Sequence, residues 1–345
     1  MSDSMQWVNL SMSHREPDRV PLFLFPTLHG AREVGLRLPE YFSKAEYMIE
    51  GQIRLLEKYR SDCVSSSAYA SMELEAFGGE TLFIEDGPPN AAEPVIASSD
   101  IDRLEAPQVA DSPSLLKGLE VIRGLKQRLG DSVPIVATVI SPFSLPIMQL
   151  GFGPYLDLLH GDREKFDRLM EINMKFCVEW ANAQLDAGAA AIGYADPMSS
   201  TTNIPKSLYL ETGYRIAKKV LPKIRGNVAM HLASGRGIGI AQEIAESGAQ
   251  GVAVSAFEDL SEWKSSVGNK LTLIGNLNGI AMRNWSREDA EREVKKAVSS
   301  AAKGGGFILS DNHGEIPWQV PEEVLHFIRD AVDTWGNYPL EWMKT

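Results

Sequence analysis

Short apolar runs recur along the chain at Arg19–Phe25, Asp62–Ala68, Val133–Ile140, Ala189–Tyr194, Asn227–Leu232, Gly251–Phe257, Leu271–Leu277 and Gly306–Leu309, eight in all. Most are rich in Val, Ile, Ala or Phe and lack strict alternation. Strands covered on both faces, as in parallel sheets, read this way. Between the runs the period changes to that of a helix. Ala45, Met48, Ile49, Ile53, Leu56 and Tyr59 repeat at helix spacing, as do Phe166, Leu169, Met170, Cys177, Trp180 and Ala181. Ser286 and Asp289 form a capping-box-like start, and the helix that follows turns Val294, Ala297, Val298 and Ala301 inward. Gly304–Gly306 end it. Strand–helix alternation implies a parallel sheet with right-handed crossovers. Eight strands predict a closed (β/α)8 TIM barrel, one domain over residues 1–345. The stretch from 80 to 131, with Pro88, Pro89, Pro94, Pro107 and Pro113 before a helix near Leu115–Leu129, is expected as an elaborated loop over the barrel mouth.

Composition narrows the function classes. The chain has 345 residues, 44% of them apolar, ample for a large core. A formal charge of -12 argues against a nucleic-acid partner, since phosphate binding needs a clustered positive face. Two cysteines, Cys63 and Cys177, rule out a disulfide framework and fit a reducing cytoplasm. The N-terminus leads into no apolar signal region. No run reaches the roughly 18–20 apolar residues that span a bilayer, so no membrane association is expected.

In such barrels the chemistry sits where the strands end. Those ends read Phe25-Pro26-Thr27-Leu28-His29, Ser65-Ser66-Ser67-Ala68-Tyr69, Ser141-Pro142-Phe143, Tyr194-Ala195-Asp196-Pro197, His231-Leu232-Ala233-Ser234-Gly235, Phe257-Glu258-Asp259, Asn276-Leu277-Asn278 and Asp311-Asn312-His313-Gly314-Glu315. Ionisable groups thus collect at the ends of apolar strands. His231 and His313, with Glu258 as a carboxylate third ligand, could hold zinc and leave one position open. The two histidines could equally act as acid and base, or simply hydrogen-bond within the mouth. Asp196 and Tyr69 are expected to orient substrate, although Asp before Pro also caps turns. Asn276, Asn278 and Phe25 are expected to line the pocket. Glu73 and Glu75 face either the mouth or the helix surface, and Glu75 is expected among the substrate-binding residues. The run Ser234-Gly235-Arg236-Gly237-Ile238-Gly239 fits a tight strand-to-helix turn and matches no dinucleotide fingerprint.

The chain resembles the uroporphyrinogen decarboxylase superfamily, and within it the corrinoid-dependent methyltransferases. The resemblance runs from Pro17-Asp18-Arg19-Val20-Pro21 to Pro321-Glu322-Glu323-Val324. It is carried by Leu74-Glu75-Ala76-Phe77-Gly78, Asp186-Ala187-Gly188-Ala189, Tyr194-Ala195-Asp196-Pro197 and Ile274-Gly275-Asn276-Leu277. The branches of the superfamily differ at the strand ends. Tetrapyrrole decarboxylases carry arginines for substrate carboxylates after strand one, where this chain reads Phe25-Pro26-Thr27-Leu28-His29-Gly30-Ala31-Arg32 and keeps only Arg32. Their catalytic aspartate at the end of strand two is matched here by Tyr69, while the His313-Gly314 pair agrees with that branch. Methylcobamide:thiol methyltransferases hold zinc with a His-x-Cys after strand five and a cysteine after strand eight. Here these places read His231-Leu232-Ala233 and His313. A site without thiolates suits oxygen ligands better than thiols.

This pattern is similar to the methyltransferase I components of O-demethylase systems. The resemblance implies a methyltransferase that moves methyl between a small substrate, such as a methoxylated aromatic, and the cobalt of a cobalamin-type corrinoid on a partner protein, with zinc as a further cofactor. The alternatives it leaves are a decarboxylase and a non-catalytic corrinoid- or tetrapyrrole-binding protein.

Overall fold

The computed structural model describes residues 4–66 and 69–344. Eight strands form one parallel sheet: β1 (Leu22–Phe23), β2 (Val64–Ser65), β3 (Ile135–Ile140), β4 (Ala191–Ala195), β5 (Asn227–His231), β6 (Gly251–Ala253), β7 (Thr272–Leu277) and β8 (Phe307–Asp311). Each pairs with its neighbours in chain order from β2 to β8, and β8 turns back to pair with β1. Ile140 lies opposite Ala195, Ala195 opposite His231, and Leu22 opposite Leu309. This is the (β/α)8 barrel expected from the eight apolar runs.

The ring closes at β1 and β2 through one carboxylate. The Asp62 amide donates to the Leu22 carbonyl at 2.6 Å, and Asp62 Oδ2 accepts from the Leu22 amide at 2.8 Å. Arg19 donates to both Asp62 oxygens, at 2.9 and 2.8 Å, and Ser4 Oγ donates at 3.0 Å. Arg19 and Asp62 are 5% and 2% exposed. Buried charges persist only when paired in this way.

Several strands are shorter than their apolar runs. Pro21 and Pro26 flank β1 and have no N–H to donate to a ladder. After β6 the chain leaves the sheet and Phe257 is 62% exposed. The run expected over Asp62–Ala68 extends to Ser67 and Ala68, which lie outside the described residues.

Alternation along the strands places the cavity. Val136, Thr138 and Ile140 of β3, Gly193 and Ala195 of β4, and His231 of β5 face inward, while Ala137, Val139, Ile192, Tyr194 and Met230 pack under the helices. The bottom of the barrel is filled by Phe23, Cys63 and Ile308, closed by Val8 and Met12 of the helix Ser4–Met12. Above that plug the small residues of β4 leave space.

The capping box at Ser286 and Asp289 is present, opening the helix Arg287–Ala301. The segment from 80 to 131 divides in two. A hairpin pairs Thr81–Leu82 with Asn90–Ala91, and its Pro88, Pro89 and Asn90 reach the mouth. The helix Pro113–Leu129 instead joins the outer ring and packs on the helix Ala45–Tyr59. Among the described residues, no helix is long and apolar enough to cross a membrane.

Candidate active site at the barrel mouth

A cavity of about 390 Å³ opens at the C-terminal ends of the strands. Its walls include Phe25, Phe42, Tyr69 and Trp180, with His231, His313, Glu73 and Glu315 as ionisable groups. No Lys or Arg lines it among the described residues.

His231 ends β5 and is held from one side. Its Nδ1 accepts the Ala233 amide at 3.0 Å. That contact needs a sharp turn, and Ala233 has φ of 43°, in the left-handed region that residues with a Cβ rarely adopt. With Nδ1 an acceptor, the single proton of the neutral ring sits on Nε2. Nε2 has no hydrogen-bond partner in the protein. Burial lowers the pKa of His231 to about 4, helped by the nearby His313, so the ring is neutral at ordinary pH. Gly314, with φ of 87°, passes so close that a Cβ there would lie 3.3 Å from His231 Cε1.

His313 is half-buried, and burial lowers its pKa. Its Nδ1 pairs with the Ser234 hydroxyl, and its Nε2 lies 3.4 Å from Asn278 Oδ1.

Glu73 lies on the short helix Ser71–Ala76 that follows β2. The Ile140 amide at the end of β3 donates to its Oε1 at 2.9 Å, and Oε2 has no hydrogen-bond partner. Burial pushes the carboxyl up to about 8, opposed by the Ile140 amide and the neighbouring Trp180 indole. Glu73 is therefore mostly a neutral carboxylic acid at pH 7. Glu315 accepts from the Leu28 amide at 3.1 Å, and its carboxyl is raised by burial and by Asp311.

Of the residues expected from the sequence, His231, His313, Tyr69 and Phe25 line this cavity. The others lie elsewhere. Asp196 is fully buried, with Oδ1 accepting from Ser141 and Ser144 at 2.6 and 2.8 Å and Oδ2 from Ser199 at 2.6 Å. Its carboxylate fastens the loops after β3 and β4 and touches neither histidine ring. Glu75 accepts from Tyr69 Oη at 3.2 Å and from Thr81, outside the cavity wall. Asn276, Asn278 and Glu258 line a separate depression of about 280 Å³. There the Asn276 amide donates to the Ser255 and Glu258 carbonyls.

Glu258 corrects the zinc expectation most directly. Its Oε1 accepts the Gly237 and Ile238 amides at 2.9 and 2.8 Å, and its Oε2 accepts Trp263 Nε1 at 3.1 Å. It seals the glycine-rich turn instead of facing the histidines. His231 Nε2, the free nitrogen, carries the proton and has no lone pair for a metal. Among the described residues, no three His, Cys, Asp or Glu side chains are grouped to hold a metal ion. The donor set does not fit zinc.

The sequence leaves Glu73 and Glu75 alike facing the mouth or the helix surface, and the structure turns only Glu73 into the cavity. Two glutamates two residues apart, Glu73 and Glu75, point different ways on a helix, and no local pattern says which enters the barrel.

Residues 8–335 match the family model described as Uroporphyrinogen decarboxylase (URO-D). The chain belongs to this family. It is 25% identical over 336 residues to the uroporphyrinogen decarboxylase of Methylococcus capsulatus, covering 90% of this chain and 92% of that protein. It is likewise 25% identical to the Chromohalobacter salexigens uroporphyrinogen decarboxylase, over 91% of this chain and 93% of that one. Among solved structures, a methyltransferase from Methanosarcina mazei superposes with a TM-score of 0.86 at 19% identity, covering 97% of this chain and 99% of that chain. A B12-independent methionine synthase from Shewanella matches less closely, with a TM-score of 0.56, 13% identity and coverage of 86% and 88%. These structures share the barrel fold.

Proposed function

We propose that this family member is a corrinoid-dependent methyltransferase of the cytoplasm, moving a methyl group between a small methoxylated aromatic and the cobalt of a corrinoid on a partner protein. The observation that carries this reading is the cavity wall, which is aromatic and lacks any Lys or Arg among the described residues. A uroporphyrinogen has eight carboxylates, and each needs a cation or several donors to leave water. The cavity offers it two further carboxyl groups instead. Arg32, the one arginine left at the corresponding place, stacks 3.8 Å over Trp318 and donates to the Trp318 carbonyl. It does not line the cavity.

An aromatic ether suits these walls. Phe42 and Tyr69 meet edge to face at 5.4 Å, and such surfaces favour a flat aromatic guest. The likeness to the Methanosarcina methyltransferase over nearly the whole chain supports the same reading. Both cysteines are free and buried, which supports a reducing compartment.

Methyl transfer from an ether is slow unless the departing oxygen is stabilised as charge builds on it. His231, neutral and fixed through Nδ1, presents Nε2–H as a donor for that oxygen. Tyr69, tied to Glu75 and packed between Phe42 and Phe83, holds one wall in place. The test is a spectral assay of cobalt methylation with a reduced corrinoid and a panel of methyl ethers, amines and thiols, run beside uroporphyrinogen. Methylation from an ether supports the proposal. Loss of carboxyl groups from uroporphyrinogen, with no cobalt methylation, overturns it.

A further inference from the structure

We propose that Glu73 is the proton donor of this cavity and that the methyl donor is therefore a neutral methyl ether. The inference rests on the methyltransferase reading above and adds to it the residue that serves the ether oxygen.

His231 is neutral, and its Nε2–H stabilises an oxygen by hydrogen bonding but does not readily give up its proton. His313 is also shifted toward the neutral form by burial. A proton for a departing alkoxide or phenolate must come from another group in the wall.

Glu73 has the placement. It lines the cavity beside Trp180, it is 4% exposed, and only one of its oxygens is hydrogen-bonded. The Ile140 amide fixes Oε1 as an acceptor, which leaves Oε2 for the proton. No ammonium or guanidinium stabilises the ionised form, so burial alone holds the carboxyl neutral. The titratable groups around it are Cys177 from the helix Arg163–Asp186, Tyr69 on its own segment, and His231, His313 and Glu315 across the cavity. None of them contributes a charge that shifts Glu73. A buried acid with no cation beside it is costly for a fold, and such groups concentrate at functional sites.

The chemistry selects oxygen. A methylated ammonium releases a neutral amine and a thioether releases a comparatively stable thiolate, so neither depends on an acid. A methyl ether releases an alkoxide, which does. The methyl carbon–oxygen bond breaks with its electron pair on oxygen, and the Glu73 proton moves to that oxygen. The carbon takes an electron pair from the cobalt of the reduced corrinoid co-substrate, which is oxidised by two electrons. Glu73 is left as carboxylate and regains a proton from water once the alcohol departs.

Two measurements test this. Infrared difference spectra of the protein carrying ¹³C-labelled glutamate, taken between pH 6 and pH 10, should show a protonated-carboxyl band that disappears at high pH and is absent in Glu73→Gln. No such band overturns the assignment whether or not turnover is seen. Methyl transfer is then followed for methoxyarenes whose phenols span a range of acidity. Glu73→Gln should slow transfer by about 10²–10⁴-fold for the least acidic phenol, the size of a general-acid effect, and progressively less as acidity rises. A wild-type protein active on ethers with an equally active variant across the series overturns the role of Glu73 alone. A wild-type protein inactive on every ether overturns the methyltransferase reading with it.

Discussion

Glu73→Gln should make the protein more stable, and by an amount that depends on pH. In the fold the carboxyl is held up at about 8 from a model value of 4.5. A carboxyl whose folded pKa is raised favours the native state only while protonated. As pH climbs past the unfolded value, the unfolded chain loses its proton and the native protein does not, so stability falls by about 1.4 kcal/mol per pH unit until the folded pKa is passed. A separation of three to four units gives a total of about 5 kcal/mol. Glutamine fills the same space, still accepts the Ile140 amide through its carbonyl oxygen, and does not titrate. The two proteins should therefore unfold alike near pH 4. The variant should gain through pH 7 and lead by several kcal/mol at pH 9. Urea unfolding of both proteins at pH 5, 7 and 9 measures the difference with other titrating groups cancelled. A gap independent of pH, or a variant less stable at pH 9, would refute the burial of an uncompensated acid.

Further outcomes follow from the same structure. Methyl transfer should fall as pH rises through about 8, where Glu73 loses its proton, with no limb from His231 above pH 5 because its pKa lies near 4; a pH–rate profile reads both. His231→Gln should cost about 10²–10³ in kcat, the range for one donor to a developing oxyanion, with the fold intact by circular dichroism. A Cβ on Gly193 would lie no closer than 3.6 Å to Ala137 O and Thr138 Oγ1, so Gly193→Leu should fold and fill the cavity. Calorimetry with a methoxyarene should then show affinity lowered more than about tenfold. Asp62→Ala strands the buried Arg19 and opens the β1–β2 seam, and should cost about 3–5 kcal/mol in urea unfolding.

The barrel was legible because its strands are buried on both faces and its helices on one. Those two demands leave different periods in the sequence, and each of the eight apolar runs overlaps a strand, the strands Ala191–Ala195 and Phe307–Asp311 running past the ends of theirs. Strand ends were less legible, because prolines such as Pro21 and Pro26 cut ladders that apolarity alone would extend. At the site, position at a strand end located His231 and His313 correctly in the mouth, yet the same rule misled at Glu258 and Asp196. Both carboxylates are consumed by donors that the fold brings alongside, Glu258 by the Gly237 and Ile238 amides and Asp196 by three serine hydroxyls. Those donors lie 20 to 55 residues away in sequence, apart from Ser199, so nothing local announces them. Glu73 was obscure for the converse reason: its isolation from cations is a property of the assembled cavity wall.

The central claim is that this cavity passes methyl from ether oxygen to cobalt. Its most direct test is a single-turnover reaction of the purified protein with a trideuteromethoxyarene and a reduced corrinoid, analysed by mass spectrometry. The account predicts a trideuteromethyl group on cobalt, one free phenol for each group transferred, and formation of both products slowed about 10²–10³-fold in His231→Gln. Unlabelled cobalt and intact ether, under conditions where binding of the ether is demonstrated, would contradict it.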